Sequence, residues 1–176
     1  MNQRKFVLYI ATSLDGYIAT KEHSLDWLFA VEGEGDNGLS KFYDTIDTIL
    51  LGRTTYDWVM EQEKGDFPYK DKECYVFSRT ERNDNQYVKF VNGDVVRFSK
   101  TLQSREGKNI WIVGGGVLLH AFIKQKIVNE IIITIAPILL GNGIPLFINT
   151  ESQTHLSLKN INRYNQFIEL HYDVVR

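Results

Sequence analysis

Apolar residues along this chain follow two rhythms, one suited to strands and one to helices. Phe6 to Thr12 is an uninterrupted run of strand formers, the pattern of a strand covered on both faces, and Leu14-Asp15-Gly16 then turns the chain. Leu39, Phe42, Tyr43 and Ile46 recur at spacings of three and four, which predicts a helix over 39–46 followed by a strand from Thr48 to Leu51. A second helix starts at Arg53-Thr54, carries Tyr56, Val59 and Met60 on one face, and is closed by the stretch Gly65 to Tyr69. Glu73 to Ser78 is a third strand.

Further on, Tyr87 to Val91 and Val95 to Phe98 read as short strands around the turn Asn92-Gly93, with Ser99 capping a brief helix that ends near Gly107. The strand Asn109 to Val113 runs into Gly114-Gly115-Gly116, and a helix from Val117 to Lys126 follows. Asn129 to Ala136 is an isoleucine-rich strand that Pro137 ends. His155 to Asn162 and Gln166 to Val175 flank Arg163-Tyr-Asn165 with the spacing of a terminal hairpin. Strands alternating with helices and then a hairpin predict an α/β protein: a mostly parallel central sheet, flanked by helices, with an antiparallel C-terminal edge. No repeat or linker divides residues 1–176, so one domain is expected.

Composition narrows the possible partners. A formal charge of −2 from 20 basic and 22 acidic residues provides no basic field for nucleic acid or an anionic membrane. No apolar stretch reaches the roughly 18 to 20 residues of a membrane span. The apolar run after Arg4-Lys5 is too short for a signal peptide and is interrupted by Asp15-Gly16. One cysteine, Cys74, and four scattered histidines offer neither an internal disulfide nor zinc-ligand spacing. A cytoplasmic protein without a metal is the expectation.

Chemistry is concentrated where strands meet helices. Three consecutive glycines allow a sharp turn and aim a helix start at an anion. Gly52-Arg53-Thr54-Thr55 repeats that plan with a guanidinium and two hydroxyls, and Ser78-Arg79-Thr80 ends the next strand with similar residues. Two such helix starts suit a dinucleotide, and an arginine near one phosphate favours NADP over NAD.

Five motifs occur in order: Ala11-Thr-Ser-Leu-Asp-Gly-Tyr-Ile-Ala19, Leu51-Gly-Arg-Thr-Thr-Tyr56, Val76-Phe-Ser-Arg-Thr80, Val113-Gly-Gly-Gly116 and Ala136-Pro-Ile-Leu-Leu-Gly-Asn-Gly-Ile-Pro-Leu-Phe147. Together they resemble the dihydrofolate reductase-like superfamily, and within it the reductase domain of riboflavin biosynthesis. The resemblance implies a three-layer fold and NADPH across the carboxyl ends of the strands. Ala11 and Ile18 would then border the nicotinamide, Gly52, Arg53, Thr54 and Thr55 the diphosphate and adenosine side, and Ser78 with Arg79 the 2′-phosphate. Val113, Gly114, Gly115, Gly116, Val117 and Leu118 would meet the diphosphate again, with a cis peptide at the glycine pair and no room for a side chain at Gly115. It further implies a homodimer and a small heterocyclic substrate bordered by Trp27, Glu32 and Tyr56. Glu32 is the acid candidate, and Thr134 would be its hydroxyl partner. The family reaction reduces 5-amino-6-(5-phosphoribosylamino)uracil. A dihydrofolate or pterin reductase is the alternative, although Tyr69-Lys-Asp-Lys-Glu73 has lysines where a folate reductase has an arginine. The alternative of another class is an NADP-binding module without turnover.

Overall fold

The computed structural model describes residues 3–149 and 153–176. Its centre is an eight-stranded sheet. In chain order its strands are β1 (Phe6–Ser13), β3 (Ile46–Gly52), β4 (Glu73–Phe77), β5 (Lys89–Val91), β6 (Asn109–Val113), β7 (Glu130–Ala136), β9 (Leu156–Tyr164) and β10 (Phe167–Val174). Across the sheet they run β5-β4-β3-β6-β1-β7-β10-β9. The pairs from β5 to β7 are parallel, whereas β10 is antiparallel to both β7 and β9. The remaining strands, β2 (Tyr17–Ala19) and β8 (Ile144–Pro145), form a separate two-stranded flap.

Alternation along each buried strand sends side chains into two apolar layers. Phe6, Leu8, Leu50, Ile110 and Ile112 face one layer, which is completed by Leu102 of α4 (Val95–Gln103) and by Leu119 and Phe122 of α5 (Gly116–Lys124). Val7, Ile49, Leu51 and Trp111 face the other, closed by Phe42 of α2 (Leu39–Tyr43) and by Tyr56 and Val59 of α3 (Arg53–Gln62). The architecture is therefore a three-layer α/β fold, with helices over both faces of the sheet. A short helix, α1 (Asp26–Phe29), precedes α2.

The sequence reading assigns the wrong type to Val95–Phe98, carries the helix 39–46 over Ile46, which opens β3, and does not find α1. Val95 to Phe98 is the first turn of α4 and not a strand. Asp94 caps it, accepting from the backbone N–H groups of Val96 and Arg97 at 2.9 and 3.1 Å, while Ser99 lies inside the helix and donates to the Val95 carbonyl. A strong cap and the apolar spacing Val95, Phe98, Leu102 outweigh the strand preference of adjacent valines. Both flap strands escaped the pattern as well, because three and two residues are too few to show a period.

Ionic contacts tie the amino-terminal ends of the strands. Arg4, only 4% exposed, reaches Asp47, the Thr48 hydroxyl and the carbonyls of Leu102 and Lys108. Glu130 at the start of β7 accepts from Lys5, from Lys159 of β9 at 2.9 Å and from His171 of β10 at 2.7 Å. The hairpin is thereby fastened to the sheet through one carboxylate. The single cysteine, Cys74, is buried on β4, where its thiol donates toward the carbonyls of Tyr69 and Lys72. Burial, reinforced by Asp71 and Glu73, pushes that thiol up to about 12.

Burial pushes the Glu130 carboxyl up, but the hydrogen bonds from Lys5, Lys159 and His171 outweigh it and hold the group at about 2, below its ordinary 4.5. A folded value below the unfolded one means the stabilisation is complete above the unfolded value and disappears as pH falls through the folded one. Stability in urea should therefore decline between about pH 5 and pH 2, with Glu130 contributing about 2 kcal/mol. Glu130→Gln should flatten that part of the profile, which denaturation curves across the range would show.

Candidate active site

A cavity of about 1120 Å³ opens along the carboxyl ends of β1, β3, β4 and β6 and extends beneath the flap. This is the place where an open parallel sheet leaves a crevice. The structure brings into its wall Ala11, Ile18, Gly52, Arg53, Thr54, Thr55, Ser78, Arg79, Val113, Gly114, Gly115, Gly116, Val117 and Leu118. They arrive from five separate stretches of chain.

Two helices begin at this wall, and neither has a side-chain cap. The N-cap of α3 is Gly52 and that of α5 is Gly115, with no side chain accepting from the first turn of either helix. Their leading N–H groups thus remain available to an anion. At Gly116, φ is +61° and a Cβ would meet nothing within 4 Å, so the backbone there adopts a glycine conformation beside open space. Arg53 is engaged by Asp57 one turn along α3, at 2.6 Å, while Arg79 follows the end of β4 and is exposed. Ser78 is 9% exposed, and its hydroxyl lies 3.3 Å from that of Thr80.

Gly115 is also closely approached by the flap. A Cβ there would lie 3.0 Å from Ile18 Cδ1 and 3.3 Å from the carbonyl oxygen and Cδ1 of Leu146, so the missing side chain makes room for the flap. All peptide bonds among the described residues are trans, including the glycine pair, which corrects the expectation of a cis bond.

Trp27, Glu32, Tyr56 and Thr134 do not line the cavity. Glu32 is exposed, and its loop is docked on the hairpin turn: the Gln166 N–H donates to the Glu32 carbonyl at 3.3 Å, and Asn165 Nδ2 lies 3.5 Å from its carboxylate. Asp36 fixes the same loop by accepting from the backbone of Gly38 and Ser40. The acidic loop therefore turns outward. Tyr56 is buried with its hydroxyl accepting from Asn85 at 3.0 Å, and Trp27 presents a buried indole N–H without a partner among the described residues. Thr134 is buried on β7 in register with Ala11 on one side and Glu169 on the other. Glu169, 7% exposed and held by Asn162 at 2.8 Å, is the carboxylate nearest to Thr134 in the sheet register. Asp15 likewise has a structural task, accepting from Ser13 and from the backbone of Leu140 and Gly141 beneath the flap.

The sequence reading missed the aromatic part of the wall: Tyr9, Trp58, Tyr69 and Trp111, with Leu25 and Leu28 from the segment before α2. The available signal was two large aromatic residues, Tyr9 and Trp111, inside strands otherwise built from aliphatic residues.

The fold is dihydrofolate reductase-like. The model of the RibD C-terminal domain matches residues 4–170, and the chain belongs to that family. It is 47% identical over 171 residues to the uncharacterized protein YwjB of Bacillus subtilis, covering 97% of this chain and 98% of that one. A crystal structure from Shewanella, assigned to riboflavin biosynthesis, superposes with a TM-score of 0.88 at 33% identity over 98% and 99% of the two chains. Dihydrofolate reductase from Enterococcus faecalis, solved with NADP(H), shares the fold at a TM-score of 0.66 and 16% identity, over 99% and 98%. Family and fold together support a reductase.

Gly115→Ala should destabilise the protein by about 1 kcal/mol, because the Leu146 carbonyl cannot yield as a side chain would. Urea denaturation would measure the loss. An unchanged midpoint would show that the flap can move aside.

Proposed function

We propose that this chain is an NADPH-dependent reductase that transfers hydride to a small heterocyclic substrate, the class of reaction of riboflavin biosynthesis. The observation that carries this reading is the pair of uncapped helix starts facing one cleft, with Arg53, Arg79 and Ser78 at its rim. Those residues fit a dinucleotide phosphate: N–H groups for the diphosphate and a free guanidinium with a hydroxyl for the 2′-phosphate. When bound, the cofactor supplies the hydride. The chain's own work is to hold donor and acceptor close and to exclude water, with Ala11 on the floor and Ile18 on the flap enclosing the reacting end. No Asp or Glu lines the cavity among the described residues, so the proton reaches substrate from water or a hydroxyl of the wall.

Support for NADPH over NADH comes from Arg79, whose guanidinium has no acidic partner among the described residues, unlike Arg53. Arg79→Ala should weaken NADPH by about 1 to 3 kcal/mol and leave NADH nearly unchanged, the scale of a charge-assisted hydrogen bond. Titration of nicotinamide fluorescence checks this. Equal losses for both cofactors would reject the assignment. Tight NADPH binding with no oxidation by dihydrofolate, the riboflavin precursor or related heterocycles would favour the binding-module alternative.

We also propose that the chain forms a homodimer through the C-terminal hairpin. Leu156, Leu158, Ile161 and Ile168 are 41%, 53%, 55% and 37% exposed, and an irregular register at His171/Tyr172 keeps Leu158 and Ile161 on one face. Apolar side chains gathered on an outer sheet face suit an isologous contact. Sedimentation should give twice the 20.4 kDa chain mass. The double variant Leu158→Glu, Ile161→Glu should sediment as a monomer.

A further inference from the structure

The cleft is chemically divided, and the division bears on the substrate. Among the described residues, the basic side chains that line it are Arg53, Arg79 and His23, and no carboxylate does. Both arginines stand at strand ends next to the helix starts, and His23 is an exposed residue of the loop after the flap. The other end is walled by Tyr9, Trp58, Tyr69, Trp111, Leu25 and Leu28. Trp111 forms its rigid floor: its indole N–H donates to the Tyr9 carbonyl at 3.1 Å, and its ring meets Tyr69 and Tyr9 edge to face at 5.5 and 6.2 Å. Tyr9 is fixed in turn by stacking on Phe42 at 4.1 Å. Trp58 projects from α3 into the same space. Burial, with smaller contributions from Cys74 and Glu63, pushes the Tyr69 hydroxyl up to about 12, so it remains a neutral donor.

This aromatic end matches the flat faces of a conjugated ring and opposes the charges that the family resemblance brings with it. A phosphate or carboxylate buried there would have no cation, and desolvating an unpaired anion is costly. A pterin's amidine edge would likewise find no carboxylate in the wall. Resting on the reading of the cleft as a reductase site, we infer that the substrate is an uncharged, planar heteroaromatic ring without a phosphate or carboxylate tail, held between Trp58 and the Tyr9–Trp111 floor. Tyr69 donates a hydrogen bond to its edge.

The test is calorimetry at about pH 8, above the usual imidazole range, on the protein with and without NADP+. The probes are quinazolinedione, an uncharged bicyclic ring; uridine monophosphate, which carries a phosphate; and dihydrofolate, which carries carboxylates. Quinazolinedione should bind at least about tenfold more tightly than either charged probe and be insensitive to added salt. Trp58→Ala should weaken it about five- to tenfold while leaving NADPH affinity unchanged, and Trp58→Phe should recover most of the loss. Failure of quinazolinedione to bind, or equal or tighter binding of uridine monophosphate or dihydrofolate, would overturn the inference. Failure of NADPH to bind would instead reject the reductase reading, because the ring preference is also read on the protein alone.

Discussion

Two helices that begin without a side-chain cap are the constraint from which the rest of this structure follows. The leading N–H groups of α3 and α5 carry partial positive charge and normally find a Ser, Thr, Asp or Asn beside them. Here glycine holds both cap positions, while α4, which follows β5 directly, has Asp94 as its cap. Both α3 and α5 begin at the cleft wall with no side chain accepting from their first turns.

Stabilising contacts are correspondingly segregated. Arg4 with Asp47 and Thr48, and Glu130 with Lys5, Lys159 and His171, lie at the ends of strands opposite the cleft. Paired and hydrogen-bonded charges of this kind fix register without occupying the carboxyl ends of the strands. The cleft end is then free to be built from glycine turns, hydroxyls and a flap held down by Ser13, Asp15, backbone bonds and the packing of Ile18 and Leu146. Rigidity at one edge permits openness at the other.

Much of the fold was legible because the parallel strands are buried on both faces and so read as continuous apolar runs, and because α2, α3 and α5 carry apolar residues at three- and four-residue spacing. The phosphate-facing wall was legible for a related reason: glycines, hydroxyls and arginines at strand-to-helix junctions have few other uses. The substrate end was not. Glu32 has the right spacing from Trp27, yet spacing along a loop says nothing about which side of the loop faces inward, and here the hairpin turn fixes it outward. Trp58, Tyr69 and Trp111 converge from a helix, a loop and a strand, a meeting that only tertiary packing creates. Val95 to Phe98 was misread because the strand preference of two valines masked a capped helical turn.

The lone thiol gains a use from its position. Cys74 lies directly behind Tyr69, with its sulfur 3.6 Å from that residue's carbonyl, and burial leaves the thiol protonated and shielded from alkylating reagents. Any reaction with such a reagent must wait for this side of the sheet to open, and the segment from Tyr69 to Lys72, whose carbonyls the thiol faces, is part of its cover. Cys74 is therefore an internal stopwatch for the opening of the layer behind the aromatic wall, and its modification rate counts how often that layer parts.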